Sequence, residues 1–150
     1  MKVKLLVSHE KYDEIKKSLT ECGIEIDDEA ELVLCENNRF TDTLIVKDSV
    51  TNGRVMLPIE DIVSIESFGH TVEVYTQNNT YIATERLYKI ISLLDPEYFL
   101  RISNSVIIAK NKVKQINPKL SMKFILAMSN GRSVDVTRSY YYIFKEHFGI

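Results

Sequence analysis

The stretch that decides the fold is Phe99-Leu100-Arg101-Ile102-Ser103-Asn104-Ser105-Val106-Ile107-Ile108, where a Ser-Asn-Ser interruption stands before an apolar strand. It lies in a segment, residues 98–134, that contains no Asp or Glu. That segment carries the cations Arg101, Lys110, Lys112, Lys114, Lys119, Lys123 and Arg132. Cations without anions, interleaved with hydroxyl and amide side chains, suit a surface that faces phosphates. Nucleic acid is therefore the first partner to consider.

The net charge of -2 and the pI of about 5.9 hide this segregation. Residues 1–50 carry 7 Lys or Arg against 12 Asp or Glu, a balance of -5. Residues 51–150 carry 12 against 9, a balance of +3. A DNA-binding protein with this distribution would be overlooked if pI alone were used as the criterion.

The bulk composition is that of a globular protein, with 45% hydrophobic and 27% charged residues in 150. That length suits one ordinary domain, with room for a small appendage. No apolar stretch approaches the length that crosses a bilayer, and the first residues do not resemble a secretory signal, so we expect a cytoplasmic protein. Cys22 and Cys35 lack a CxxC spacing, which favours reduced thiols over a disulfide or metal site.

The first 42 residues predict a small α+β segment. Residues 2–7 alternate like a strand, and Ser8 can cap a helix that runs to Cys22. Residues 31–36 follow as a second strand, and residues 37–39 as a loop. The order is therefore strand, helix, strand.

Residues 43–150 predict a mainly β domain with short helices. Turn residues separate short β-runs, and Asn52-Gly53 and Asn130-Gly131 are hairpin signals. Helices are predicted only at residues 85–93 and 139–148, apart from a single turn after Pro58. The other runs are predicted strands at 43–47, 54–57, 63–67, 71–77, 81–84, 105–109, 113–118, 123–128 and 133–137. No pair of adjacent helices is available for a helix-turn-helix.

Catalytic patterns are absent from the sequence. His9, His70 and His147 are far apart and none has a metal-ligand spacing. The glycines are scattered singly, so no phosphate-binding loop is present. We predict neither an enzyme nor a bound metal or cofactor.

Polar residues at loop positions carry more information, and each has two interpretations. Asn104 can tie its own loop or read a base edge. Arg138, after a strand, can form a surface ion pair or bind guanine or phosphate bidentately. His70 follows Gly69 in a loop and can donate to a phosphate or base. The consecutive residues 140–142 are tyrosines, best interpreted as half core and half amphipathic surface, with base stacking as the alternative.

Four ordered pieces of the chain resemble the LytTR DNA-binding domain, the output domain of the LytR/AlgR class of bacterial response regulators. The pieces are Leu57-Pro58-Ile59-Glu60-Asp61-Ile62-Val63-Ser64-Ile65-Glu66-Ser67, Leu87-Tyr88-Lys89-Ile90-Ile91-Ser92-Leu93-Leu94, the opening stretch, and Met128-Ser129-Asn130-Gly131-Arg132-Ser133-Val134-Asp135-Val136-Thr137-Arg138-Ser139-Tyr140. The resemblance covers about residues 43–148 and implies an elongated, mostly antiparallel β-fold. Its loops, rather than a helix, would reach into successive major grooves.

By this resemblance, base and backbone contacts map onto His70, Asn104 and Arg138. Three further residues, Arg101, Ser103 and Lys112, would be phosphate neighbours. Many family members have His in place of Ser103 and Asn in place of Ala109. Some forty residues precede the match, too few for the usual receiver domain, so phosphorelay control is not expected.

The expected function is that of a bacterial transcription regulator that binds double-stranded DNA in a sequence-specific manner. By resemblance, two protomers would occupy paired direct repeats, as a homodimer at least on DNA. Residues 1–42 would then serve dimerisation or bind a protein partner, because their negative charge disfavours DNA. The alternative is a protein-interaction module that kept the fold of residues 43–150 but lost DNA binding.

Overall fold

The computed structural model of the protein describes residues 1–36 and 40–150. The chain divides into two compact units, residues 1–39 and residues 40–150. The loop predicted at residues 37–39 lies outside the described residues.

The first unit is a small parallel sheet with one helix. It contains β1 (Lys2–Leu6), α1 (His9–Glu21), β2 (Glu25–Ile26) and β3 (Leu32–Cys35). Strand β1 is central and pairs in parallel with both neighbours. The strand-helix-strand order was predicted, whereas the two-residue β2 was not. A strand of two residues carries no period in sequence, and it exists here because it pairs with β1.

The start of α1 differs from the predicted cap. Ser8 occupies the N-cap position, but its side chain makes no capping hydrogen bond. Instead, its backbone N–H donates to the Glu36 carboxylate at 2.5 Å. Just after the other end of the helix, Gly23 has a φ of +83°. This left-handed backbone conformation ends helices and is rarely adopted by residues other than glycine.

The second unit contains two antiparallel sheets. The larger comprises β4 (Thr43–Asp48), β5 (Arg54–Pro58), β6 (Ser64–Phe68), β7 (Thr71–Tyr75), β8 (Thr80–Ala83), β9 (Phe99–Arg101) and β10 (Val106–Ala109), in the order β5-β4-β8-β7-β6-β10-β9. The smaller has the order β11-β12-β13, with β11 (Val113–Lys119), β12 (Lys123–Met128) and β13 (Ser133–Val136). The helices are α2 (Leu87–Leu93) and α3 (Tyr141–Phe148), and 3-10 turns lie at Ile59–Asp61, Lys110–Lys112 and Arg138–Tyr140.

The mainly β, antiparallel fold class is confirmed. Two details differ from the sequence prediction. Strand β9 was not predicted, and the terminal helix begins at Tyr141 because Arg138–Tyr140 form a 3-10 turn. Strand β9 has three residues, which is too few for an alternating pattern, and its pairing with β10 defines it.

Strand β10 explains why the opening stretch decides the fold, because all four of its residues are buried. Successive side chains of a strand point to opposite faces of the sheet. Ile107 belongs to the core between the larger sheet and α2, and Val106 and Ile108 belong to the core beneath the smaller sheet and α3. A continuous apolar run is the pattern expected of a strand covered on both faces.

The turn between β12 and β13 ties the two sheets together. The Arg132 guanidinium donates to one Glu66 carboxylate oxygen through Nε at 3.1 Å and Nη2 at 2.8 Å, and it lies 3.7 Å from the centre of the Tyr75 ring. Asn130 Nδ2 donates to the Thr76 carbonyl at 3.1 Å. Burial, followed by the hydrogen bond to Glu73, raises the pKa of the Tyr75 phenol well above its ordinary value.

Candidate nucleic-acid interface

Three loops of the second unit meet at one edge. They are the β6–β7 turn, the β9–β10 loop and the chain that leaves β13. The N–H of Ser67, in β6 next to the β6–β7 turn, donates to the Ser105 carbonyl at 2.8 Å, which joins this end of β6 to the β9–β10 loop. The Thr137 N–H donates to the Ile102 carbonyl at 3.0 Å, which joins the last two. The three predicted base-contacting residues therefore lie on adjoining loops.

His70 stands at the tip of the β6–β7 hairpin. Phe68 pairs with Thr71, so that Gly69 and His70 alone form the turn. Gly69 has a φ of +62°, a conformation that a residue without a Cβ adopts at no steric cost. The His70 side chain is exposed. The hairpin thus presents an imidazole at the loop edge.

The β9–β10 loop is held by its own side chains. Arg101 donates to the Ser103 carbonyl through Nε at 3.1 Å and to the Asn104 carbonyl through Nη2 at 2.6 Å. The Ser103 hydroxyl accepts the Ser105 N–H at 3.2 Å, and only 5% of Ser103 is exposed. These two residues were predicted as phosphate neighbours. The Ser103 hydroxyl is bonded within the loop and Arg101 is bonded to the loop backbone, and the contact of both residues with phosphate stays a prediction.

Asn104 is exposed in this loop, as is Ser105. Its Oδ1 accepts a hydrogen bond from the Tyr140 hydroxyl at 3.2 Å. Within the described residues its side-chain NH₂ group has no partner. An amide held by its oxygen keeps two donors for a ligand.

Arg138 is exposed and begins the 3-10 turn after β13. Among the described residues its guanidinium has no ion-pair or hydrogen-bond partner. Asn104 and Arg138 line one open groove of about 660 Å³, together with the exposed Lys123. Of the two carboxylates in that groove, Glu66 is paired with Arg132, which leaves Asp135. The groove, which Ser103 also lines, therefore brings three predicted contact residues and a further cation together.

Lys112 lies elsewhere in the same unit. It ends the 3-10 turn that follows β10, whereas Asn104 lies before β10, so the strand separates them. The Lys112 carbonyl accepts the Ser129 N–H at 2.8 Å, and its side chain borders Gln77 and Asn78. The structure does not bring Lys112 to the edge formed by the other predicted residues, and its contact with phosphate stays a prediction.

The sequence model of the LytTr DNA-binding domain family matches residues 52–149. The chain belongs to this family. All six predicted contact residues lie inside the matched region, in the part of the LytTr domain that runs from the β4–β5 turn to the end of α3. The first unit lies outside it.

Two kinds of relative agree with this assignment. The transcriptional regulatory protein LytR of Staphylococcus aureus is 30% identical over 95 residues, 63% of this chain and 39% of LytR. The transcriptional regulatory protein YpdB of Escherichia coli K12 is 30% identical over 103 residues, 67% of this chain and 41% of YpdB. The chain spans about two fifths of the length of these curated relatives.

A solved LytTr DNA-binding domain from Bacillus cereus has a similar fold. It superposes with a TM-score of 0.69 at 26% identity, and the alignment covers 73% of this chain and 99% of that one. The aligned fraction of this chain is close to the share that its second unit occupies.

Two residues at the loop edge of the LytTr domain were missed by the sequence analysis. Lys123 was counted among the cations of the acid-free segment, which was the available signal, but it was not assigned to the site. Tyr140 was interpreted as core or surface, with base stacking as the alternative, and no hydrogen bond to another loop was predicted for it. Its hydrogen bond to a residue 36 positions earlier has no signature in sequence.

Among residues 1–36 and 40–150, no group of three or more His, Cys, Asp or Glu side chains is arranged to hold a metal ion. No helix within the described part of the chain is long and apolar enough to span a membrane.

Proposed function

We propose that this protein is a transcription regulator that binds double-stranded DNA in a sequence-specific manner through the loop edge of its LytTr domain. The observation that carries the proposal is that His70, Asn104 and Arg138 lie on three neighbouring loops, of which the β9–β10 loop is hydrogen-bonded both to the end of β6 and to the chain after β13. Each of these side chains is exposed. Exposed polar side chains on a rigid β-scaffold are suited to contact base edges and phosphates.

The charge at this edge supports an anionic ligand. Lys123 and Arg138 face the groove, while the Glu66 carboxylate is neutralised by Arg132 at 2.8 Å. Phosphate contacts of this kind supply most of the sequence-independent affinity for DNA. Base selectivity would then come from the side chains that reach into a groove of the duplex.

The chemistry of each side chain suggests its task. An Arg that is unpaired in the free protein can donate bidentately to guanine O6 and N7. Because these atoms are exposed in the major groove, we expect Arg138 to contact DNA there. The Asn104 NH₂ group would donate to a base acceptor, and the imidazole of His70 would contact a base or phosphate. Helix α3 is not suited to groove insertion, because it has eight residues and its Phe144 is fully buried in the core.

The regulatory role rests on the relatives, both of which are named as transcriptional regulatory proteins. We extend it with the expectations drawn from the sequence: a cytoplasmic protein, two protomers on paired direct repeats, and residues 1–42 used for dimerisation or for a protein partner. The acidic balance of the first fifty residues supports a role away from DNA.

The decisive experiment is fluorescence anisotropy of the full chain with the duplex upstream of its own gene, compared with a scrambled duplex, across a salt series. We expect selective binding and a log-log salt slope of several units, about -0.9 for each phosphate neutralised. Substituting His70, Asn104 and Arg138 together by Ala should abolish the selectivity. Equal binding to both duplexes before and after the triple substitution would favour the protein-interaction alternative.

A further inference from the structure

The Tyr140 hydroxyl has a defined role in the free protein that neither the family assignment nor the sequence explains. It donates to Asn104 Oδ1 at 3.2 Å across 36 residues of chain. The tyrosine ring is half-buried and packs against the core that contains Phe144. Its backbone N–H also donates to the Thr137 carbonyl at 2.9 Å. Because both the ring and the backbone are anchored, the hydroxyl is delivered to a fixed point at the loop edge.

Asn104 is fixed from its other side as well. Arg101 donates to the Asn104 carbonyl at 2.6 Å, and the Ser103 hydroxyl accepts the next residue's N–H. The backbone of the loop and the oxygen of the amide are therefore both held. Among the described residues, the NH₂ end of the Asn104 side chain remains without a partner.

We propose that Tyr140 is a positioning residue for DNA reading, which orients the Asn104 amide so that its NH₂ group donates to an acceptor on a base edge. This inference rests on the proposed function. The class of ligand atom follows from the orientation: purine N7, guanine O6 or thymine O4 fits a donor, whereas the N4 amino group of cytosine does not. A side chain ordered before binding loses less rotamer freedom when the complex forms.

The same contact joins the two loops that read DNA. Tyr140 closes the 3-10 turn that Arg138 opens, and its hydroxyl reaches the β9–β10 loop. Asn104 and Arg138 are thereby held at a set separation along the groove. A fixed separation between two reading side chains matters because each must meet its own base pair.

The test is a double-mutant cycle on the full chain, with the duplex identified by the anisotropy experiment. We expect Asn104→Ala to weaken selective binding by about tenfold and Tyr140→Phe by about fivefold, the effect of one hydrogen bond. The double variant should bind no more weakly than Asn104→Ala alone. Tyr142→Phe is the matched control, because Tyr142 is an exposed neighbour whose hydroxyl has no hydrogen-bond partner within the described residues, and it should bind like the wild type.

A second measurement needs no DNA. The ¹⁵N-{¹H} nuclear Overhauser effect of the Asn104 side-chain amide should fall in Tyr140→Phe and stay unchanged in Tyr142→Phe. Unchanged amide dynamics, or wild-type affinity in Tyr140→Phe, would overturn the inference. So would additive losses in the double variant, because Tyr140 would then act independently of Asn104.

The failure of this inference and of the proposed function are distinguishable. If Asn104→Ala binds normally while Arg138→Ala is impaired, DNA reading stands and the role of Tyr140 is wrong. If the wild type and all variants bind both duplexes equally, the proposed function fails, and the positioning role for DNA fails with it.

Discussion

At the scale of single residues, removal of the Arg138 side chain should weaken DNA binding without changing the stability of the fold. It is exposed, and within the described chain its guanidinium has no partner. We expect Arg138→Ala to cost about 1–3 kcal/mol of selective binding, the value of a good bidentate base contact, with an unchanged free energy of unfolding. Anisotropy and chemical denaturation measure the two quantities.

Arg138→Lys is the matched control for this prediction. It keeps the charge but loses the planar fork, so non-specific binding should persist while selectivity falls. Retained selectivity in the lysine variant would show that the residue contacts only phosphate.

Substitutions of Arg101 distinguish a cation that binds phosphate from one that holds the conformation of the β9–β10 loop. Its guanidinium already donates to two loop carbonyls, at 3.1 and 2.6 Å. We expect Arg101→Lys to weaken selective binding several-fold with no change in the salt slope, because lysine cannot reproduce the fork. Lys123→Gln should instead reduce the magnitude of the negative salt slope by about 0.9, because one phosphate contact is lost. A salt slope of smaller magnitude in a charge-removing variant, Arg101→Met, would support the predicted contact of Arg101 with phosphate.

At the scale of elements, the β12–β13 turn holds the smaller sheet against the larger one through Arg132 and Glu66. We expect Arg132→Met to reduce the free energy of unfolding by about 1–3 kcal/mol, because it leaves the largely buried Glu66 carboxylate without its donor. The double variant with Glu66→Gln should recover part of the loss, since no unpaired charge remains. Denaturant melts of both variants check this. Equal stability of the two variants would contradict it.

The elements also show how far the sequence determines the fold. Local signals predicted the β12–β13 hairpin, where Gly131 has a φ of +86°, and a terminal helix that overlaps α3. Strands β2 and β9 were missed because strands of two and three residues are too short to show an alternating pattern and are defined by their pairing with β1 and β10. Turn-forming residues act locally and can be recognised in the sequence. The pairing of a very short strand leaves no pattern in the sequence.

The candidate site shows the same contrast between what the sequence indicates and what tertiary packing determines. The resemblance indicated which loop residues to consider, but it could not show that Ser103 points inward or that Lys112 lies beyond the far end of β10. The bond between Tyr140 and Asn104 depends on how α3 packs on the smaller sheet. Such contacts are consequences of tertiary packing, which no spacing in the sequence encodes.

At the scale of the whole molecule, the two units should separate in function. Residues 1–39 carry ten Asp or Glu against six Lys or Arg, so their removal makes the remaining chain more positive. We expect residues 40–150 to keep selective DNA binding, with non-specific affinity equal to or above that of the full chain. Anisotropy with both duplexes measures this, after circular dichroism has shown that the fragment is folded. Loss of all DNA binding by a folded fragment would assign the first unit a direct part in recognition.

The predicted pairing of protomers on direct repeats has a geometric test. Two copies that contact each other on one face of the duplex require repeats separated by whole helical turns, about 10–10.5 base pairs each. Sedimentation of the full chain with a paired-repeat duplex should give two protomers per duplex, bound cooperatively. Inserting five base pairs between the repeats should remove the cooperativity, and inserting ten should restore it. Two protomers bound without cooperativity at every spacing would mean that they bind without contact, and the homodimer on DNA would be wrong.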